Sequence, residues 1–449
     1  MDGHRKQLIA LARPVYFSLL ASVAAGLINT VWVSRLGGPA VAAVAVATTT
    51  ENMLLGVALV FASGTTVLVA HARGARDPGA VRAAVRGGWT LCAVVTPVVA
   101  VGGFLLREPL ARLVLGGDDG AALPLAVAYF ALSMPGTAVF FAQNLVDGIL
   151  KGAGDTRTPM RLALLTNGLI LVLDPFLIHL YGVRGAAAST VLCRSVALAA
   201  GLVALRRDAL LRSAARAPHT GSSLRRTLTT GLPMSLDFTV RQAGALGLVA
   251  VVARLGVTAV AAYAIAYKVL YVATMGFYAV RQAASIHTAH SRGAGRREAP
   301  RSGEGEGGAL TWTIGRQALL VSVAFALPVA VLLAATAPWI MAAFGAGPAV
   351  AHEGVLFLRC VGPYLLLMAG FIALGGVFEG SGGAPVLLRV TVLGTALQLP
   401  LAHGLSGLGL PGVCVALALA MAVQCAVVGV LLRRARAQEE TGAPWARAV

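Results

Sequence analysis

The sequence predicts an all-α polytopic membrane protein, with twelve transmembrane helices arranged as two parallel six-helix repeats. Three observations lead there. Apolar runs of about twenty residues, each enough to cross a hydrocarbon core of roughly 30 Å as a helix, recur along the whole chain. Of the 449 residues 57% are hydrophobic and 12% charged, about half the charged fraction of a soluble domain, and the mean hydropathy is +0.80. The chain also repeats itself. Adding 219 carries Pro14 to Pro233, Arg35-Leu36-Gly37 to Arg254-Leu255-Gly256, Ala40-Val41-Ala42-Ala43 to Ala259-Val260-Ala261-Ala262, and Arg73-Gly74-Ala75 to Arg292-Gly293-Ala294. A constant offset over about sixty residues marks a duplication.

The first six spans are expected at 14–34, 45–70, 85–106, 123–149, 160–180 and 186–205. The second six are expected at 230–253, 259–288, 310–334, 352–377, 386–405 and 410–432. Long apolar runs without strict alternation exclude a barrel, and a lipid-facing backbone must satisfy its own polar groups, so each span is a helix. Span one holds a single amide, Asn29, and closes on Arg35-Leu36-Gly37. Span two holds the polar run Thr48-Thr49-Thr50-Glu51-Asn52. Span four ends with Asp147 ahead of Lys151, and span five contains Leu173-Asp174-Pro175. Span seven carries Asp237 and Arg241. Span eight carries Tyr263, Tyr267, Lys268, Tyr271 and Arg281-Gln282, and span ten carries Arg359. The domains read as 1–205 (spans one to six), a basic linker at 206–229, 230–432 (spans seven to twelve) and a tail at 433–449. A glycine-rich loop, Gly293–Gly308, lengthens the second repeat, so Gly152-Ala153-Gly154 answers Gly380-Ser381-Gly382 at an offset of 228.

The net charge is +18. Its placement argues against nucleic acid, because the basic residues sit in short loops between spans, where they orient a membrane protein and meet anionic lipid. Twenty-five Lys and Arg fall on one side and five on the other, which predicts both termini in the cytoplasm of a cell-membrane protein. No cleavable signal sequence is read at the short polar N-terminus, so the first span is expected to act as its own insertion signal. The five cysteines (Cys92, Cys193, Cys360, Cys414, Cys425) stand singly in apolar segments. They read as buried small hydrophobes and not as metal ligands or a disulfide framework.

Two motifs carry a resemblance: Leu150-Lys151-Gly152-Ala153-Gly154-Asp155-Thr156-Arg157-Thr158-Pro159-Met160 between spans four and five, and Leu173-Asp174-Pro175 followed by Gly182-Val183-Arg184-Gly185-Ala186-Ala187. With Arg35-Leu36-Gly37 and Gly74-Ala75-Arg76-Asp77, the chain resembles the multidrug and toxic compound extrusion (MATE) family, nearest its DinF-like branch. The match is fullest in the N-terminal half. The resemblance implies two six-helix lobes forming a V around a central cavity, with substrate exported in exchange for H⁺ or Na⁺. In that branch an acid in the first helix often takes part in ion coupling. Asn29 stands at the matching position, and an amide hydrogen-bonds without binding and releasing a proton.

Ionisable groups in a membrane core are costly and mostly face protein or water, so each is a functional candidate. Asp174 precedes a proline that leaves a helical carbonyl unpaired. It reads either as the coupling carboxyl or as a carboxylate held by hydroxyls such as Thr190. Glu51 reads as a cavity-wall residue and a second candidate for ion coupling. Asp147 is a third candidate, set against the plainer reading of an i,i+4 salt bridge with Lys151. Asp237 and Arg241 share a helix face, either as a structural ion pair or as a cavity pair poised for an anionic or zwitterionic group. Arg281, Gln282 and Arg359 could extend that cavity. Tyr263, Tyr267 and Tyr271 form a stripe that suits either helix packing or stacking of a planar molecule. His71, His287, His290 and Glu379 read as solvated groups near cytoplasmic ends.

The expected function is therefore ion-coupled export of a small organic molecule by a monomer, with no cofactor beyond the coupling ion. A flippase for a lipid-linked or polysaccharide intermediate is the alternative. The chain shows no catalytic set such as HExxH or GxSxG, no GxxxxGK[ST] for ATP and no pore-loop signature, so an enzyme, an ATP-driven pump and a channel are all disfavoured.

Overall fold

The computed structural model describes residues 2–115, 120–216, 224–298 and 306–440. Among them there is no strand. The first half contains α1 (Asp2–Ser34), α2 (Gly38–Gly74), α3 (Pro78–Leu105), α4 (Arg107–Val114), α5 (Ala122–Gly152), α6 (Arg157–Tyr181), α7 (Val183–Arg207) and α8 (Ala209–Arg216). The second contains α9 (Leu224–Ala253), α10 (Val257–Glu298), α11 (Glu306–Ala343), α12 (Pro348–Cys360), α13 (Gly362–Ser381), α14 (Ala384–Gly404) and α15 (Gly409–Glu440). Among the described residues twelve helices are long and apolar enough to cross a membrane. Most outrun the expected spans: α10, for instance, extends to Glu298 where its apolar run ends near 288. Hydropathy marks the apolar stretch of a helix, whereas its hydrogen bonds carry on into the polar interface.

The chain divides into two compact units, Phe17–Ser235 and Met1–Tyr16 with Leu236–Val449. The switch points, Phe17 and Leu236, are themselves related by the repeat offset of 219. In the first unit α2 packs on α3 and α5, α5 on α3 and α7, and α6 on α7. In the second, α10 packs on α11 and α13, α13 on α11 and α15, and α14 on α15. The pairings are the same once the duplication is applied.

Small residues let the central pair of each unit approach closely. A Cβ added at Gly148 or Gly152 of α5 would lie 2.8 Å from the Ala62 carbonyl oxygen or 2.6 Å from that of Thr66, both on α2. Added at Gly376 or Gly380 of α13, it would lie 2.1 Å from the Arg281 carbonyl oxygen or 2.3 Å from that of Ser285, on α10. Both are Gly-x-x-x-Gly contacts of the kind that bring membrane helices together where no hydrophobic force separates them from lipid. The turns repeat as well. Gly37 and Gly256 adopt φ +97° and +104°, and Gly154 and Gly382 adopt +82° and +86°, backbone that side chains rarely take. Arg73 packs its guanidinium against the Gly154 turn, and its repeat partner Arg292 donates to the Ser381 carbonyl at 2.6 Å. Asp155 accepts from the Arg157 and Thr158 amides at 3.0 Å each, capping α6.

Two expectations need correction. Span ten is not continuous: the chain breaks at Val361 between α12 and α13, because Pro363 cannot donate the next helical bond. Its repeat equivalent, Pro135, is tolerated inside the unbroken α5. The basic linker is also partly helical. Asp208 accepts from the Leu211 amide at 3.0 Å to start α8, whose Leu210 and Leu211 pack against a cluster around Val69 and Val81. Residues 217–223 of the linker, 299–305 of the glycine-rich loop and 441–449 of the tail lie outside the described residues.

Candidate functional site

The Phe17–Ser235 unit gathers three of the expected residues with two unexpected ones. Glu51 on α2, Tyr129 on α5, and Thr190 and Arg194 on α7 line a pocket of about 20 Å³, room for one water. Arg194 Nη2 lies 2.9 Å from Glu51 Oε2, and its guanidinium sits 4.8 Å from the Phe140 ring centre. Of the polar run on α2, Thr50 and Glu51 reach this pocket, while Thr48 and Asn52 are exposed. The hydroxyls of Thr48, Thr49 and Thr50 return to carbonyls of the preceding turn at 2.9–3.0 Å, so the helix itself meets their needs.

Asp174, on α6, is within electrostatic reach of Tyr129, as are Glu51 and Arg194. It is 1% exposed, and both of its carboxylate oxygens are buried without a hydrogen-bond partner. The Ser189 hydroxyl interacts with it without closing a hydrogen bond of normal geometry. Thr190, expected as a holder of this carboxylate, instead donates to the Ala186 carbonyl at 3.0 Å. A buried carboxylate with neither a cation nor a donor ligated to it has an uncompensated charge, and binding a cation or a proton would compensate it. Asn29, half-buried on α1, keeps its Oδ1 buried and unpartnered.

Asp147 stands apart from this group, also on α5. The expected salt bridge does not close: Lys151 acts on Asp147 electrostatically, but the two form no contact within ion-pair distance, and Asp147 Oδ1 is buried without a partner.

In the other unit, Asp237 is the centre of an ion network larger than the expected i,i+4 pair. Its Oδ2 lies 2.5 Å from Arg241 Nη1 and 2.7 Å from Arg281 Nη2, and its Oδ1 accepts from the Thr391 hydroxyl at 2.5 Å. Arg281 also donates to Glu379 Oε1, from Nη2 at 2.6 Å and Nε at 3.2 Å. Glu379 is therefore a member of a nearly buried network and not a solvated residue. Two acids and two guanidiniums balance, the condition under which burying them is affordable.

Arg241 is the member of this network that faces open space. With Gln242, Tyr267, Tyr271, Tyr278, Gln398 and Gln424 among its neighbours it lines a cavity of about 160 Å³. Arg281 and Gln282 are not among the lining residues: Arg281 lies behind Asp237, and Gln282 is half-buried elsewhere on α10. Arg359 and Lys268 are exposed and do not line it either. The tyrosine stripe splits between its two readings. Tyr263 is packed, edge-on to Phe357 and stacked on Tyr267 at 5.7 Å, whereas Tyr267 and Tyr271 present rings that are 41% and 46% exposed.

Sequence reasoning missed Arg194, Tyr129 and Thr391, and placed Glu379 at the cytoplasmic interface without its partner Arg281. Arg194 had a usable signal, being the one cation deep within an N-terminal span, away from the ends where Arg86 and Arg161 sit. Tyr129 and Thr391 had none, since a tyrosine or a threonine in an apolar span reads as packing. Among the described residues no three His, Cys, Asp or Glu side chains group as metal ligands, and of the five free cysteines Cys360 is exposed.

Comparison with known proteins adds an independent line. The family model MatE matches residues 14–176 and again 233–403, two segments whose starts differ by the repeat offset of 219. The chain is 25% identical over 409 residues to the probable multidrug resistance protein NorM of Thermotoga maritima, covering 89% of this chain and 85% of the relative. It is 31% identical over 214 residues to the DNA damage-inducible protein F of Escherichia coli, covering 46% and 45%. Among solved structures, an outward-facing multidrug resistance MATE family transporter of the MOP superfamily superposes with a TM-score of 0.88 at 23% identity, over 98% and 97% of the chains. A MOP superfamily transporter from Pyrococcus furiosus, described as having a binding pocket of reverse polarity, superposes with a TM-score of 0.87 at 22% identity, over 97% of each chain. Matched once in each of its two halves, this multi-pass membrane protein belongs to the MatE family of transporters.

Proposed function

We propose that this protein is a secondary active exporter of small organic molecules, driven by H⁺ or Na⁺ antiport and working by alternating access of its two units. The observation that carries the reading is Asp174, a carboxylate 1% exposed with both oxygens unpartnered, beside Pro175, which has no N–H to give inside the continuous α6. Glu51 has its charge met by Arg194 at 2.9 Å. Asp174 has no such partner, which supports it as the coupling site, with the one-water pocket of Glu51, Tyr129 and Thr190 beside it. Asn29 offers an amide and no charge. The relatives named for multidrug resistance support export as the direction and drugs or natural products as the cargo. The excess of basic residues on one side supports a cell-membrane protein with cytoplasmic termini and anionic lipid around its loops, and we take the monomer as the working unit.

The test is transport in proteoliposomes under imposed pH and Na⁺ gradients across a compound panel. Asp174→Asn should insert normally yet lose gradient-driven movement of every compound. Gradient-driven transport that persists in this variant would overturn the coupling assignment.

A further inference from the structure

The cavity of the Leu236–Val449 unit has a chemistry of its own. Its one charged lining residue is Arg241; the other polar groups are amides, hydroxyls and tyrosine rings, and no carboxylate reaches the wall. The acids that could have balanced Arg241 are turned away from the cavity. Asp237 is 1% exposed, and besides its 2.5 Å contact with Arg241 it is already engaged by Arg281 at 2.7 Å and Thr391 at 2.5 Å. In that contact Arg241 Nε and Nη1 are both buried, so it is the rest of its guanidinium, on a side chain 20% exposed, that meets the cavity. A guanidinium that carries the one charge on a cavity wall is matched by an anionic acceptor, and its planar fork suits a carboxylate. Around it Tyr267 and Tyr271 offer ring faces to an aromatic body.

We propose that this cavity is a substrate subsite selective for aromatic carboxylates, with Arg241 receiving the carboxylate and Tyr267 and Tyr271 stacking on the ring. The inference rests on the exporter reading and names its substrate class. Tyrosine faces also attract cations, which sets up the competing outcome. That attraction is worth little beside the guanidinium that is the one ionised group lining the same small cavity, and Arg241 already lies 5.9 Å from one of those rings, Tyr278. By the same logic the network is closed to a coupling cation, because both Asp237 and Glu379 are engaged by guanidinium groups.

The experiment is calorimetric titration of the full chain in nanodiscs with 2-naphthoate and with 2-naphthylmethylammonium, the same rings with opposite charge. Naphthoate should bind at least about tenfold tighter than the ammonium, the factor that one charge-assisted contact supplies. Arg241→Gln should remove that preference. Should Arg241→Gln fail to fold, Gln398→Glu leaves the ion network intact and puts an acid on the cavity wall; it should invert the preference. Equal or tighter ammonium binding by the native chain, or an unchanged ratio in Gln398→Glu, would overturn the proposal. The test needs no ion gradient. Asp174→Asn should bind naphthoate like the native chain, so selective binding without transport would sink the exporter reading alone, and transport without charge selectivity would sink the subsite alone.

Discussion

Removing Arg281 should unbalance the network more than any other single change. Its guanidinium is shared between Asp237 at 2.7 Å and Glu379 at 2.6 Å, in a residue that is 5% exposed. Arg281→Met leaves Asp237 with Arg241 and Thr391, but leaves Glu379, whose side chain is 13% exposed, without a cation. Stranding a buried charge in this way costs about 3–5 kcal/mol. At about 2–4 °C per kcal/mol for a unit of this size, the thermal midpoint should fall by roughly 6–20 °C. The double variant Arg281→Met/Glu379→Gln removes the stranded charge and keeps the Asp237–Arg241 pair. It should regain at least half of the loss, a coupling of about 1.5 kcal/mol or more. Thermal unfolding of purified protein in detergent, followed by intrinsic fluorescence, reads all three. A double variant no more stable than Arg281→Met would refute the view that charge balance, and not side-chain packing, holds this cluster together.

Other outcomes can be measured on the same material. Gly380→Ala puts a methyl 2.3 Å from the Ser285 carbonyl oxygen and should cost about 1–3 kcal/mol, whereas Gly429→Ala, with nothing within 4 Å, should be neutral or mildly stabilising in the same unfolding assay. Gly256→Ala meets no atom within 4 Å but is held at φ +104°, so backbone strain alone should cost about 1–3 kcal/mol; a midpoint equal to that of Gly404→Ala would show the turn to be pliable. Glu51→Gln should leave gradient-driven transport in place, because the uncompensated charge resides on Asp174; loss of coupling in Glu51→Gln with coupling retained in Asp174→Asn would reverse the two roles.

The fold was legible because membrane insertion writes itself into composition. A run of twenty apolar residues has few alternatives to a spanning helix, and a constant offset cannot be mistaken once two motifs share it. The break between α12 and α13 was hidden, because hydropathy averages across Val361-Gly362-Pro363 and the same proline position is tolerated in α5. The Gly-x-x-x-Gly contacts were present in the letters, yet their meaning depended on knowing that α5 faces α2 and α13 faces α10. The site was less legible for a different reason. Asp174 and Arg241 stand out as charges in apolar sequence, but a partner is a property of three dimensions. Arg194 lies 143 residues from Glu51, and Glu379 lies 98 from Arg281. The local i,i+4 pairs that sequence offers proved half right: Asp237 and Arg241 meet, while Asp147 and Lys151 do not.

The duplication also shows what each unit does differently, because equivalent positions can be read against each other on the same scaffold. Where α10 carries Arg281, α2 carries Ala62; where α13 carries Glu379, α5 carries Lys151; and where α9 carries Asp237 and Arg241, α1 carries Ser18 and Ser22. In the other direction, Glu51 of α2 answers Leu270, Asp147 of α5 answers Gly375, and Arg194 of α7 answers Met421 at the offset of 227 that relates the turn glycines Gly182 and Gly409. The helix pairings, the close glycine contacts and the turn glycines all coincide, so these differences lie outside the framework that the two units share. They place an uncompensated acid in one unit and a compensated network with an outward-facing cation in the other. A protein that must bind a cation and an organic molecule in the same cycle gains from separating them in this way, since a single pocket cannot favour both signs of charge. If, as proposed, Asp174 couples the ion and Arg241 selects the cargo, exchanging Arg241 should change which compounds move without changing which ion drives them.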